Sequence, residues 1–214
     1  MKWTVNVRAV VGVMVAAMLA TACAPLLVGG VAATAIVAND RRTTGTVIED
    51  NAIELKLADE ISKALGNKGH ISVTSFNRRV LLTGEAPSEA LKAMAEEVAK
   101  RGENVVLVIN ELAVAGNAST TQRAADTLLS SRVKVALISD KQIDASAVKV
   151  VTDRGQVYVM GLLTGAEAAR ATEIVRRVPG VQGVVRVVEL ISEQELLRLK
   201  PPVKNAPSEP ASAK

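Results

Sequence analysis

The chain has 214 residues, with 26 Lys and Arg against 22 Asp and Glu, a formal charge of +4 and a pI of about 9.3. One Trp, one Tyr and one Phe are too few for a platform that stacks bases or sugars, so single-stranded nucleic-acid and carbohydrate recognition are not expected. A single His and a single Cys leave zinc sites and His-based triads without their parts, and the expectation is a non-enzyme with no catalytic residue, metal ligand or cofactor.

Residues 1–22 read as a secretory signal: Lys2 and Arg8 precede an apolar run from Ala9 to Ala20. Without that segment, 24 basic residues face 22 acidic ones, which is not the balance of a nucleic-acid binder. The stretch Leu19-Ala20-Thr21-Ala22-Cys23 resembles a lipobox, the site of the bacterial lipoprotein signal peptidase, although Leu stands one position further back than is usual. The resemblance implies that Cys23 becomes the first mature residue, carrying a thioether-linked diacylglycerol and an acylated amine such as a palmitate. Two other readings stay open, an uncleaved N-terminal membrane helix and an ordinary signal that leaves a free thiol. The apolar run is short of the ~20 residues that a spanning helix needs. Residues 23–49 form an anchored tether, of which the small apolar part from Ala24 to Ala38 is either flexible or lies on the membrane.

Two units follow, at 50–115 and 126–191, joined by a linker at 116–125. Asp50 opens a helical pattern with Ile53, Leu57 and Ile61, and Asp126 opens one with Leu129, Val133 and Leu137, each pair offset by 76. Spacing of i, i+4 and i+8 places these side chains on one stripe, and an Asp ahead of the first turn suits an N-cap. A hairpin comes next in each unit. Ile71–Ser75 and Val80–Gly84 flank Asn77-Arg78, while Val148–Thr152 and Val157–Gly161 flank Asp153-Arg154-Gly155, and the two glycines are read as closing their strands. Helices from Ser88 to about Arg101 and from Thr164 to about Val178 are rich in Ala, Glu, Leu and Arg. Last strands run from Val105 to Leu112 and from Val184 to Leu190. The fold class is therefore α+β, two tandem α-β-β-α-β units, each a three-stranded mixed sheet packed against two helices. The apolar last strands suggest that both sheet faces are partly covered. Residues 192–214, with Pro201, Pro202, Pro207 and Pro210, read as a disordered tail.

These units resemble the BON domain. The order of signal, lipobox and two such units resembles the dual-BON outer-membrane lipoproteins of Gram-negative bacteria, over about residues 19–191. The resemblance rests on the Asp-x-x-[Ile/Leu]-x-x-[Lys/Arg]-[Val/Leu] helix starts, on Gly84 and Gly161, on Pro179-Gly180-Val181-x-x-Val184, and on the lead-in Asp40-Arg41-Arg42-Thr43-Thr44-Gly45 before Glu49-Asp50. In the first unit Gly102-Glu103-Asn104 departs from the Gly-Val step. Ala24 in place of an inner-membrane-retaining Asp implies sorting to the outer membrane, with the body in the periplasm.

Charge separates the two units. From Asp50 to Ala115 eight Lys and Arg face ten Asp and Glu, and from Asp126 to Ile191 nine face seven, so the second suits an anionic surface. On its first helix Leu129, Val133, Ala136 and Leu137 point to the core at 100° per residue. Leu128, Arg132 and Val135 share the next face, with Ser131 and Lys134 at its margins. The first unit has Ala52, Lys56 and Asp59 at the positions of Leu128, Arg132 and Val135. The family resemblance implies that this helix binds anionic phospholipid such as phosphatidylglycerol, here without an aromatic anchor at its start. Packing of Leu128 and Val135 against the first domain is the competing reading. Function divides likewise: an outer-membrane lipoprotein that binds anionic phospholipid and supports envelope integrity, or a periplasmic adaptor or chaperone that binds protein. Outer-membrane assembly or division machinery is a further expected partner, and nucleic acid is not.

Overall fold

The computed structural model describes residues 40–199. The proposed anchor Cys23, the signal segment and the chain beyond Leu199 lie outside them.

The first helix, α1, spans Thr44–Ala64, and Thr43 caps it by accepting from the Thr46 N–H at 3.1 Å. It begins six residues earlier than the sequence reading, inside the segment assigned to the tether. Asp50 is consequently not a cap. It sits in mid-helix on the buried stripe with Ile53, Leu57 and Ile61. Strands β1 (His70–Phe76) and β2 (Arg79–Ala86) form an antiparallel hairpin, α2 spans Glu89–Lys100 with Ser88 as its cap, and β3 (Leu107–Asn110) and β4 (Ala113–Val114) both pair with β2 in parallel. The second unit repeats the order. It has α3 (Thr120–Ser139), a 3-10 turn at Ala145–Ala147, β5 (Val148–Asp153), β6 (Gln156–Leu163), α4 (Gly165–Arg176) and β7 (Gly183–Leu190). Its central strand β6 is antiparallel to β5 and parallel to β7. Ser119 caps α3, so that helix takes in part of the expected linker and leaves Asp126 in its interior. A capping box of Thr164 and Glu167 starts α4.

The displaced aspartates do a different job, because each caps the hairpin of its own domain. Asp50 accepts from the backbone of Asn77 (2.8 Å) and Arg78 (2.7 Å), from the Ser75 hydroxyl (2.6 Å) and from Arg42 (2.7 Å), whose guanidinium also lies 4.0 Å over the Phe76 ring. Asp126 accepts from the backbone of Arg154 (3.0 Å) and Gly155 (2.9 Å). Both turns place two successive residues at positive φ, Asn77 and Arg78 in the first and Arg154 and Gly155 in the second, as a two-residue type I′ hairpin requires. Arg has no intrinsic preference for that conformation, and the charge-assisted bonds to Asp50 hold it there.

The glycines read as strand ends lie inside the strands, which run on to Ala86 and Leu163. A side chain on Gly84 would come within 2.0 Å of the His70 carbonyl, and one on Gly161 within 2.5 Å of the Ala147 carbonyl. Close backbone approach is what demands glycine there.

Both central strands are buried on two faces. Val80, Leu82 and Ala86 pack under α1 and α2, and Val157 and Val159 pack under α3 and α4. On the opposite faces Phe76 and Leu81 meet Tyr158, Met160 and Leu162. The two sheets thus stack face to face, giving layers in the order helices, sheet, sheet, helices. Leu196 of a further helix, α5 (Glu193–Leu199), closes this inter-sheet core. Residues 193–199 of the segment expected to be disordered are therefore helical. Its i, i+3 apolar residues, Leu196 and Leu199, are too few to register as periodicity before their partners are known.

Polar contacts also tie the domains. Arg41, 8% exposed, donates to the Leu162 carbonyl (2.7 Å) and to both carboxylate oxygens of Glu167 (2.6 and 2.8 Å), and that guanidinium holds the Glu167 carboxyl below its ordinary range. Glu189 accepts from Asn77 and Arg79, Lys149 bonds Glu54 and the Ser75 carbonyl, and Asp153 accepts from the Gly84 N–H.

Candidate functional site

The main concave surface among the described residues is a groove of about 740 Å³ between α3 and α4. Helix α3 buries Leu129, Val133 and Leu137 against the sheet, and the next face turns to the groove with Leu128, Ser131, Arg132, Val135 and Ala136. Helix α4 supplies Arg170, Glu173, Ile174 and Arg177, and Val178-Pro179 closes the far end. The helices run antiparallel here, since Arg170 in the middle of α4 binds Asp140 just past the end of α3, while Gly180 beyond the end of α4 lies beside Leu129. Their apolar side chains line the floor and one rim.

Leu128 is 60% exposed and Val135 63% exposed, so neither packs against the first domain. The competing reading does not hold, because the domains meet mainly through their sheets and leave this face of α3 exposed. Ile138, 70% exposed, extends the apolar surface beyond the groove. Of the five residues singled out in the sequence, Leu128, Ser131, Arg132 and Val135 line the groove. Lys134 is exposed but lies off it.

The groove's cations are not equivalent. Arg170 donates twice to Asp140, raising its own affinity for protons and holding the Asp140 carboxyl below its ordinary range, with the Gln142 N–H adding to the second effect. Arg177 pairs with Glu173 one turn back. Arg132 has no hydrogen bond or ion pair among the described residues. With three arginines against one Asp and one Glu, the lining carries a single excess positive charge. It belongs in effect to Arg132, which is exposed and keeps its donors for an incoming anion.

Helix α4's share of the site was missed in the sequence. Arg176-Arg177 stood out only as a cationic helix end, and Arg170 and Ile174 did not stand out at all. The offset of 76 that aligns the first helices also aligns the second ones and was the available signal. It sets Met94 against Arg170, Val98 against Ile174 and Arg101 against Arg177.

A second concavity of about 300 Å³ runs between the domains and is polar, with Glu85, Asp153, Arg123 and several hydroxyls. Burial is the main cause pushing the Asp153 carboxyl up, and the nearby Glu85 and Asp126 add to it. His70 lies at its mouth, exposed at the start of β1. Tyr158 is buried in the inter-sheet core, where loss of water pushes its hydroxyl pKa up. Among the described residues no helix is long and apolar enough to cross a membrane, and no group of His, Cys, Asp and Glu is arranged to hold a metal ion.

The architecture is that of two fused domains of one kind, and the family model for the BON domain matches residues 49–116 and 125–191. The chain is 35% identical to "Outer membrane lipoprotein DolP" of Haemophilus influenzae, over 79% of this chain and 89% of that protein. It is 31% identical to "21 kDa hemolysin" of Actinobacillus pleuropneumoniae over 71% and 79%, and 33% identical to "Osmotically-inducible protein Y" of Escherichia coli over 65% and 72%. The chain belongs to the BON-domain family, and within it to the dual-BON outer-membrane lipoproteins similar to DolP.

Proposed function

We propose that the second BON domain binds anionic phospholipid through the α3–α4 groove while the Cys23 anchor holds the chain on the periplasmic side of the outer membrane, and that this contact supports envelope integrity. The observation that carries the reading is the exposed apolar rim of Leu128 and Val135 beside the unpaired Arg132. Apolar side chains enter the headgroup boundary, and a nearby cation gains about 1 kcal/mol at an anionic surface. Attachment does not depend on this weak contact. A lipidated N-terminus already confines the domain near lipid, and the groove sets its orientation or the lipid it meets through effective concentration.

The soluble chain starting at Asn39 tests this on vesicles with and without phosphatidylglycerol, as the parent and as Leu128→Glu with Arg132→Glu. Binding by the parent should require the anionic lipid, and the double variant should lose it. Equal, negligible binding by both would remove the lipid reading and turn attention to a protein client. Cells carrying only the double variant should admit a large polar antibiotic more readily than cells with the parent chain.

A further inference from the structure

The groove is larger than recognition of a headgroup requires. From Leu128 to Ser139, α3 advances roughly 17 Å at ~1.5 Å per residue, and the groove's volume of about 740 Å³ lies within the usual range of small-molecule sites. Its lining is mainly apolar, and Ala136, partly buried against the core beside Ile174, is the smallest side chain in it. Two of its three arginines are turned onto acids of the groove itself, which leaves the single positive charge at Arg132.

The first domain supplies an internal comparison. At the matching end of that domain, between α1 and the step after α2, lies a pocket of only about 70 Å³, bordered by a Lys56–Glu103 ion pair at 3.2 Å and by an Asn104–Glu49 hydrogen bond at 2.6 Å. At this end the fold does not require a wide groove, and the one in the second domain follows from Leu128, Arg132, Val178 and Pro179 standing where the first has Ala52, Lys56, Gly102 and Glu103. A long apolar groove whose lining carries one excess positive charge complements one hydrocarbon chain bearing one negative charge. A purely electrostatic surface contact would need neither the apolar length nor the neutralised arginines.

We infer that the groove seats one acyl chain of a monoanionic phospholipid, its phosphodiester on Arg132, so that the second domain holds a lipid molecule by its tail as well as its head. This rests on the reading that the second domain meets anionic phospholipid. It adds that a dispersed single-chain lipid of the same charge is also a ligand.

The soluble chain from Asn39 contains the whole unit that starts at Arg41, with its own cores, and is the species to use. It is titrated calorimetrically with myristoyl lysophosphatidylglycerol below its micelle threshold, with the phosphatidylcholine analogue, and with glycerophosphoglycerol, which has no chain. Vesicles containing phosphatidylglycerol are run in parallel. The anionic lysolipid should bind saturably at one per chain, the choline analogue at least about tenfold more weakly, and the chainless head undetectably. Ala136→Phe fills the slot and should weaken lysolipid binding by about tenfold or more while vesicle association through the rim persists. Ile174→Trp blocks it from the other wall, in case the first variant folds poorly. Vesicle binding without lysolipid binding overturns the acyl site and leaves the surface contact. Lysolipid binding without vesicle binding overturns the surface contact and leaves the acyl site. Unchanged lysolipid binding in both folded filler variants overturns the acyl site.

Discussion

The two BON domains carry the same pair of helices over the same sheet, yet the second has a groove of about 740 Å³ along them and the first, at the matching end, a pocket of about 70 Å³. In the second domain Leu128, Val135, Ile174 and Arg132 face outward around the groove. In the first, the residues at those positions are Ala52, Asp59, Val98 and Lys56, and Lys56 is turned onto Glu103. The step after the second helix differs as well. Val178-Pro179-Gly180 bounds the wide groove, whereas Gly102-Glu103-Asn104 brings a carboxylate and an amide onto Lys56 and Glu49 of α1. Element order is constant between the two, while surface chemistry is not. Duplication supplied the scaffold twice, and a handful of outward side chains made one copy a candidate site.

What the domains share should be the most costly to lose. Asp50→Ala leaves three hairpin donors without this acceptor and removes the ion pair with Arg42, so denaturation should show a loss of about 3–5 kcal/mol. Asp126→Ala strands two backbone donors and should cost about 2–3 kcal/mol. Equal losses would mean that Arg42 and Ser75 add nothing to the first hairpin.

What the domains do not share should appear in lipid binding instead of stability. Leu128→Glu or Val135→Glu should weaken association with phosphatidylglycerol vesicles by about tenfold, and Ala52→Glu, the counterpart of Leu128→Glu, should leave it unchanged. A loss of similar size from the first-domain variant would erase the asymmetry. The paired change Lys56→Gln with Glu103→Gln should alter stability by less than about 1 kcal/mol, since both side chains are largely exposed. It should create no lipid binding, because charge removal alone does not make the space apolar.

The smallest effect concerns the polar cleft between the domains. Asp153 has its folded pKa raised above the ordinary 3.8, mainly by burial, so its ionised form opposes folding above the folded pKa and the penalty vanishes below about 3.8. Asp153→Asn should therefore raise the melting temperature at pH 7 and make no difference at pH 3. The amide oxygen can still accept from the Gly84 N–H. Glu167 behaves in the opposite way. Its pKa is held below 4.5 by Arg41, and the stability that this pair contributes is present above 4.5 and fades as pH falls through the lowered value. Arg41→Gln should flatten that part of the pH–stability curve.

Element order, the hairpins and the caps Ser88 and Thr164 were legible in the sequence, because period-2 and i, i+4 patterns and N-cap chemistry act within a few residues. The starts of α1 and α3 were not. Asp50 and Asp126 look like N-caps, and only the hairpin brought against them shows why an acid is buried in mid-helix. The groove was half legible: the greasy, basic face of α3 follows from its own angular spacing, whereas Arg170 and Ile174 join it only through the antiparallel packing of α4.

By itself the sequence determined that this chain is a repeated α-β-β-α-β unit with an amphipathic, cationic helix in the second copy. Those properties are set by local periodicity and charge count. Tertiary structure alone decided that the domains join through their sheets. Alternation in β2 and β6 gives each strand two apolar faces, but nothing along the chain says which surface covers the second one. Once Phe76 and Leu81 are set against Tyr158, Met160 and Leu162, the outer helices are left facing away. Leu128, Arg132 and Val135 then remain free of the first domain.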